Sequence, residues 1–187
     1  MDATDEHLMA RVQAGDRQAF QVLMNRHVAS LHRFAQRLLR NSTEAEDVTQ
    51  EALLRLWQHA ARWEPGRVRF TTWLFRIAHN LCVDRYRRNG SAKVDESIDV
   101  DTLIDEHSAD GAASVGRNER QHHVRRALNA LPERQRTALV LCFYQAFSNQ
   151  EAAAILDVSV DALESLLSRA RRALRADLVE YSQGDSL

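Results

Sequence analysis

The stretch from Phe70 to Arg88 constrains this chain more than any other part of it. Phe70, Leu74, Ile77 and Leu81 recur at three- and four-residue steps, and Trp73 and Ala78 widen the stripe. That spacing predicts a helix with one face packed against other helices. Arg76, Asn80, Val83 and Arg87 recur on the opposite side, and Arg85, Arg87 and Arg88 cluster at the end. Guanidinium and amide groups beside aromatic rings suit an opened nucleic-acid strand, whose phosphates need cations and whose bases stack. A solvated basic face on an ordinary amphipathic helix accounts for the same residues, and on this stretch alone both readings stand.

The segments before it are also helical in pattern. Leu8, Met9 and Val12 predict a short helix ended by Gly15, after which Asp16 is placed to cap the next one. Ala19, Phe20, Leu23, His27, Leu31, Phe34, Ala35 and Leu38 carry that second helix to about Arg40. Asn41-Ser42 breaks it, and Thr43 with Glu46 reads as a capping box for a third helix through Trp57. Ala45, Val48, Ala52 and Leu56 face its core side, leaving Asp47, Gln50, Glu51 and Leu54 as an exposed acidic stripe with an apolar end. Such a stripe is a solvated face or a docking face for a partner helix. Trp63 to Arg69 reads as a loop turned by Pro65-Gly66, placed to grip a base pulled from the stack.

Composition shifts after Asn89. Acids from Asp95 to Asp110 with few large apolar residues, then a Gly- and Ala-rich run, predict a flexible acidic linker over 91–117. The expected organisation is therefore all-α, with two small helical domains at 5–90 and 118–180. In the second, a helix from about Asn118 closes at Leu131-Pro132, and Pro132 opens another carrying Ala138, Leu139, Cys142 and Phe143. Ser148 to Glu151 forms a capping box, and Asp157 to Val160 a turn. Ser159 or Asp161 then caps a long helix through Leu163, Leu166, Leu167, Ala170, Leu174 and Leu178. Two helices joined by a short turn, with small Ala153 at their crossing, predict a helix-turn-helix. Its second helix carries Arg169, Arg171, Arg172 and Arg175 with no acid between Ser165 and Ala176.

A net charge of −1 argues against indiscriminate coating of DNA, which phosphate neutralisation drives. Any nucleic-acid role must rest on local basic faces. Cys82 and Cys142 lie far apart in apolar helical patterns, as expected of buried free thiols in a reducing cytoplasm and not of a disulfide or metal pair. His27 and His32 lack partners at metal spacing, and adjacent His122 and His123 point different ways on a helix. No apolar run approaches the roughly 20 residues of a membrane span, and the acidic start is wrong for a signal peptide.

Taken in order, the motifs resemble the extracytoplasmic-function (ECF) group of bacterial RNA polymerase sigma factors. Gly15-Asp16 with Ala19-Phe20, Ala45 to Glu51 with Leu56-Trp57, Phe70 to Asn80, Leu131-Pro132, and Glu151 to Ala153 through Ser168 to Arg175 carry the resemblance, from about Asp5 to Asp177. It implies a cytoplasmic, non-enzymatic factor without cofactor or metal, which takes core RNA polymerase to promoter DNA, helps open it and is held by an anti-sigma factor. It places Asp47, Gln50, Glu51 and Leu54 against the polymerase clamp. Trp63, Arg67, Arg69, Trp73, Arg76, Asn80, Arg87 and Arg88 are placed at the minus-ten element. Ser159, Glu164, Ser165, Ser168, Arg169, Arg171 and Arg172 are placed at the minus-thirty-five element. The linker is implied to thread toward the active-site cleft.

One departure concerns the recognition helix. Where the family often has Thr-Val-Lys-Ser-Arg, this chain has Ala162-Leu163-Glu164-Ser165-Leu166. Two cations are lost there, and Glu164 gains the capacity to accept from a cytosine amino group. Two other classes of function are consistent with a C-terminal helix-turn-helix: a duplex-binding regulator that works without polymerase, and a helical module that sequesters a protein partner. No Gly-rich phosphate loop, Ser-His-Asp set or zinc spacing points to an enzyme.

Overall fold

The computed structural model describes residues 3–88, 124 and 126–184, with side chains up to Asp177. The expected linker over 91–117, the helix start near Asn118, and His122 and His123 lie outside the described residues. Helix α1 spans Asp5–Gln13 and α2 Arg17–Leu39, with Asp16 capping α2 by accepting from the Gln18 and Ala19 amides. Arg40 then takes a left-handed conformation (φ 56°) that ends α2 at once. Helix α3, Ser42–Gln58, is capped by Asn41, whose side chain accepts from the Glu44 amide at 3.0 Å. The capping box expected at Thr43 and Glu46 is therefore corrected: the helix starts at Ser42, and Asn41 takes the cap because Asn caps at least as well as Thr. Helix α4 is Phe70–Arg88.

Residues 126–130 are helical, and α5 spans Glu133–Leu139 with Pro132 in the N-cap position. It widens into a π-type turn over Val140–Tyr144. Helix α6, Asn149–Leu156, has the expected capping box, with Ser148 and Glu151 bonding reciprocally. Helix α7, Val160–Gly184, follows after Asp157 ends α6 in a left-handed conformation (φ 54°), a position Asp tolerates better than most residues. Among the described residues there is no strand.

The first half buries Leu23, Leu31, Phe34, Val48, Leu56, Phe70 and Leu74 between α2, α3 and α4, with α1 laid across them. In the second, Ile155, Leu163, Leu167 and Ala170 form the seam of α6 and α7, with α5 against α7. The halves also pack on each other, α6 along α4 and α5 against α2. The result is a second buried stripe on α4, Thr72, Phe75, His79 and Cys82, beyond the one its apolar periodicity announces. Phe75 sits edge-on between Phe34 of its own half (5.3 Å) and Phe147 of the other (5.0 Å). Each such ring pair is worth about 0.5–1.5 kcal/mol beyond the area it buries.

Candidate nucleic-acid interface

Three faces carry the residues singled out by sequence. On α3, Asp47 and Gln50 are exposed, Glu51 is half-exposed, and Leu54 leaves 48% of its surface free. Glu51 accepts from Arg55 at 2.7 Å, and Asp47 from Arg85 at 3.2 Å, so the stripe is tied to the last turns of α4. An exposed apolar residue at the end of an acidic row fits a partner that offers both a cation and an apolar pocket.

The second face is built by α4 and the loop before it. Arg67 donates to Glu64 across a turn in which Gly66 takes φ +81°, which favours glycine. Gln13 fastens the loop to α1 by donating to the carbonyls of Ala60 and Trp63, at 3.0 and 2.7 Å. Trp63 departs from expectation. It is only 2% exposed, donates its indole N–H to the Val68 carbonyl at 3.3 Å and packs edge-on against Phe70, so it anchors the loop and offers no ring to a base. Packing against the buried Phe70 ring, with the indole N–H satisfied by a backbone carbonyl, outcompetes solvent for so large a ring.

Arg69, Trp73, Arg76 and Asn80 step along one side of α4 at helical intervals, and the Trp73 amide bonds the Arg69 carbonyl, so the row is continuous. Arg69, Arg76 and Asn80 are exposed and Trp73 is half-buried. Arg87 and Arg88 are exposed in the last turn. Two cations of the row meet the other half: Arg69 lies 3.0 Å from Glu151, and Arg76 4.0 Å from Asp157. Partial burial pushes the Glu151 carboxyl up, but hydrogen bonds from Ser148 and Arg69 outweigh it and hold the group below its ordinary value.

Beneath this row, His79 and Cys82 face inward. Burial pulls the His79 imidazole down to about 4, with Arg134 of the other half adding to the effect, and its Nδ1 has no hydrogen-bond partner among the described residues. Burial pushes the Cys82 thiol up to about 12, so it is a packing group and not a nucleophile. Arg136 of α5 is 1% exposed and donates to the carbonyls of Leu38 and Asn129, both at 3.3 Å. Sequence reasoning passed over this residue, because one Arg in a polar stretch carries no sign of burial.

The third face is α7. Ser159 accepts from the Ala162 amide at 3.1 Å and so caps the helix, resolving the choice between it and Asp161. Glu164, Ser165, Ser168, Arg169, Arg171 and Arg172 are exposed, while Leu163 and Leu167 hold the helix to its neighbours. Asn149 of α6 donates to Glu164 at 3.3 Å, and the Arg171 guanidinium lies 5.4 Å above the Phe143 ring. Ser165, Ser168, Arg169 and Arg172 share one side by their spacing, the set a recognition helix offers a major groove. Among the described residues no group of three His, Cys, Asp or Glu could hold a metal ion, and no helix is long and apolar enough to cross a membrane.

Two family models match the chain, Sigma-70 region 2 over residues 23–92 and Sigma-70 region 4 over residues 122–174. The ECF RNA polymerase sigma factor SigW of Bacillus subtilis (strain 168) is 31% identical over 178 residues, covering 90% of this chain and 93% of its own. SigM, an ECF RNA polymerase sigma factor of Mycobacterium tuberculosis, is 36% identical over 180 residues, covering 96% and 87%. Among solved structures, CnrH in complex with the cytosolic domain of CnrY superposes with a TM-score of 0.71 at 28% identity, over 94% of this chain and 97% of that one. The sigma factor RpoE of Bartonella quintana, solved with the anti-sigma factor NepR, gives a TM-score of 0.65 at 30% identity, over 85% and 96%.

Proposed function

This chain belongs to the ECF sigma factors, and from that premise we propose that it binds core RNA polymerase, directs it to particular promoters and helps open the DNA under the control of an anti-sigma factor. The observation that carries the reading is the pairing in one chain of two different nucleic-acid faces. The α4 row places cations and an amide around the half-buried Trp73, which suits a strand whose bases are unstacked. The α7 face has the geometry for intact duplex.

The first half, 5–90, is assigned to polymerase and the minus-ten element, and the second, 118–180, to the minus-thirty-five element. Asp47, Gln50, Glu51 and Leu54 dock polymerase. Arg67, Arg69, Trp73, Arg76, Asn80, Arg87 and Arg88 hold the melted strand, with Trp63 supporting them from within. Glu164, Ser165, Ser168, Arg169, Arg171 and Arg172 contact the duplex, and Ser159 sets the start of their helix. Unpairing bases costs a few kcal/mol, which stacking and phosphate contacts must offset. The chain acts by binding and not by covalent catalysis, in the cytoplasm. Relatives solved with CnrY and NepR support a protein partner that holds the factor inactive.

The deciding experiment is transcription in vitro from genomic DNA by core polymerase with and without the chain, followed by sequencing of the RNA 5′ ends. Defined new start sites are expected only when the chain is present. A chain that shifts promoter duplex in a gel without polymerase and starts no RNA with it would be a simple DNA-binding regulator.

A further inference from the structure

We propose, resting on the reading above, that Gln13 of α1 is a positioning residue for base selection at the minus-ten element, acting through the loop that joins α3 to α4. That loop is tied at its base and open at its rim. Residues 64–69 are all exposed, whereas Trp63 before them and Phe70 after them are buried. Gln13 Nε2 donates to two carbonyls at once, Ala60 at 3.0 Å and Trp63 at 2.7 Å, 47 and 50 residues further along the chain. Ala60 starts a short 3-10 turn, Ala60–Arg62, and Trp63 closes it, with the backbone extended there (φ −80°, ψ 126°) as it leaves for the rim. One side-chain amide, with its two N–H groups, therefore holds both the turn and its exit. At the far end of the rim the Phe70 amide donates to Glu6 Oε1 at 3.5 Å, so α1 meets the loop at both ends.

Gln13 can hold the loop only as firmly as it is itself held. Leu8, Met9 and Val12 are buried and seat α1 in the core of the first half. Arg11 donates twice to one carboxylate oxygen of Asp16, at 2.9 and 2.7 Å, while the other oxygen of Asp16 caps α2. The corner that follows Gln13 is closed by these bonds, and the loop is reached from a fixed support.

Rigidity at this point bears on choice of base. A pocket tells one unpaired base from another by the difference in their binding, and the difference survives only where the pocket cannot rearrange around the wrong one. The rim contains Gly66 at φ +81°, a residue with wide backbone freedom, so its order must come from its anchors. Removing the Gln13 bonds frees the first anchor, while the Trp63 indole keeps its bond to the Val68 carbonyl at 3.3 Å and the core is untouched. The loss falls on selection more than on folding.

The test uses the full chain with core polymerase and a library built on one of its start sites, both promoter elements randomised, read by sequencing the templates that yield RNA. Gln13→Met keeps the length of the side chain and has no donor; Gln13→Glu keeps its shape and has none when ionised. Gln13 is an exposed residue at a helix end, so both variants fold. Both should lower the preference for the favoured base by about fivefold or more at one minus-ten position and leave the upstream profile as in the wild type. Preference is a ratio taken within one variant, so a loss of stability or polymerase affinity common to all templates cancels. The structural control is Val48→Ala, which trims a buried side chain of α3 roughly 15 Å along that helix from where the loop begins. An unchanged minus-ten profile in either Gln13 variant, even flattening over all positions, or the same flattening by Val48→Ala overturns the assignment; if one Gln13 variant starts no RNA, the other decides. Start sites with the wild type are scored first. If none appear, the sigma-factor reading fails and takes this one with it, whereas start sites whose profile does not depend on Gln13 overturn this assignment alone.

Discussion

The Arg136 guanidinium in the second half donates to the Leu38 carbonyl in the last turn of α2, 98 residues earlier in the chain, at 3.3 Å. This places a cation on the free carbonyls of a helix end, where the macrodipole is negative. Burial pulls the guanidinium below its ordinary value, Arg40 adds to this, and Tyr86 and Glu133 oppose it. The group nonetheless stays charged, because an arginine starts so far above neutral pH.

Arg136→Lys should therefore destabilise the chain by about 1–3 kcal/mol, because one ammonium nitrogen does not span the two sites that separate guanidinium nitrogens reach, and the Leu38 carbonyl loses its side-chain donor while the Asn129 carbonyl keeps Arg40 at 2.9 Å. Urea unfolding reads this directly. A midpoint equal to that of the wild type would mean that water satisfies the Leu38 carbonyl equally well.

His79 makes the packed chain sensitive to acid. Its folded value near 4 lies below the ordinary 6.5. Above about pH 6.5 it is neutral whether folded or not and contributes no pH dependence. Between 6.5 and 4 the unfolded chain takes up a proton that the folded one refuses, so stability falls as pH falls, by on the order of 3 kcal/mol in all. Thermal melts from pH 7 to pH 4 should show a shallower loss of stability for His79→Leu than for the wild type; parallel curves would assign the acid loss to other groups.

Asn80 is exposed in the middle of the α4 row. Asn80→Ala should leave stability and polymerase binding within error and lower open-complex formation at a cognate promoter about tenfold, as for loss of one base contact worth 1–3 kcal/mol. Permanganate footprinting of the melted region measures it. Loss of polymerase binding as well would place Asn80 on the wrong face.

On α3, Asp47→Arg with Gln50→Ala reverses charge on the docking stripe and also breaks the Asp47–Arg85 pair at 3.2 Å. That pair is exposed, so the fold should change by less than about 1 kcal/mol. Co-purification with core polymerase should fall at least tenfold. Undiminished assembly would move the docking face elsewhere.

Glu164 is held by Asn149 at 3.3 Å and suits a cytosine amino group in the major groove. Glu164→Gln should change preference at one upstream base pair by about 1–3 kcal/mol, and Asn149→Ala should relax preference at the same pair. Competitive binding of a library randomised over the upstream element by polymerase carrying each variant reads both. An unaltered base profile would leave Glu164 with a structural role only.

Much of this molecule was legible before any coordinates. The apolar stripes of α2, α3 and α4, the Ser148–Glu151 capping box and the exposed rows on α3 and α7 follow from helical spacing and from what each cap residue bonds. Periodicity expresses these because they are contacts within one helix or with its immediate neighbours in sequence. What only the tertiary structure decided is how the halves meet. Thr72 and His79 are ambivalent side chains and Arg136 is among the least buried of residue types, so no local pattern marks them as an interior, whereas Cys82 lies in an apolar pattern and is buried as expected. Trp63 likewise reads as a loop aromatic open to a base, whereas in the fold it packs on Phe70 and bonds the Val68 carbonyl. Burial by a partner surface far away in sequence depends on the whole fold, and that information lies in no window of residues short enough to show a period.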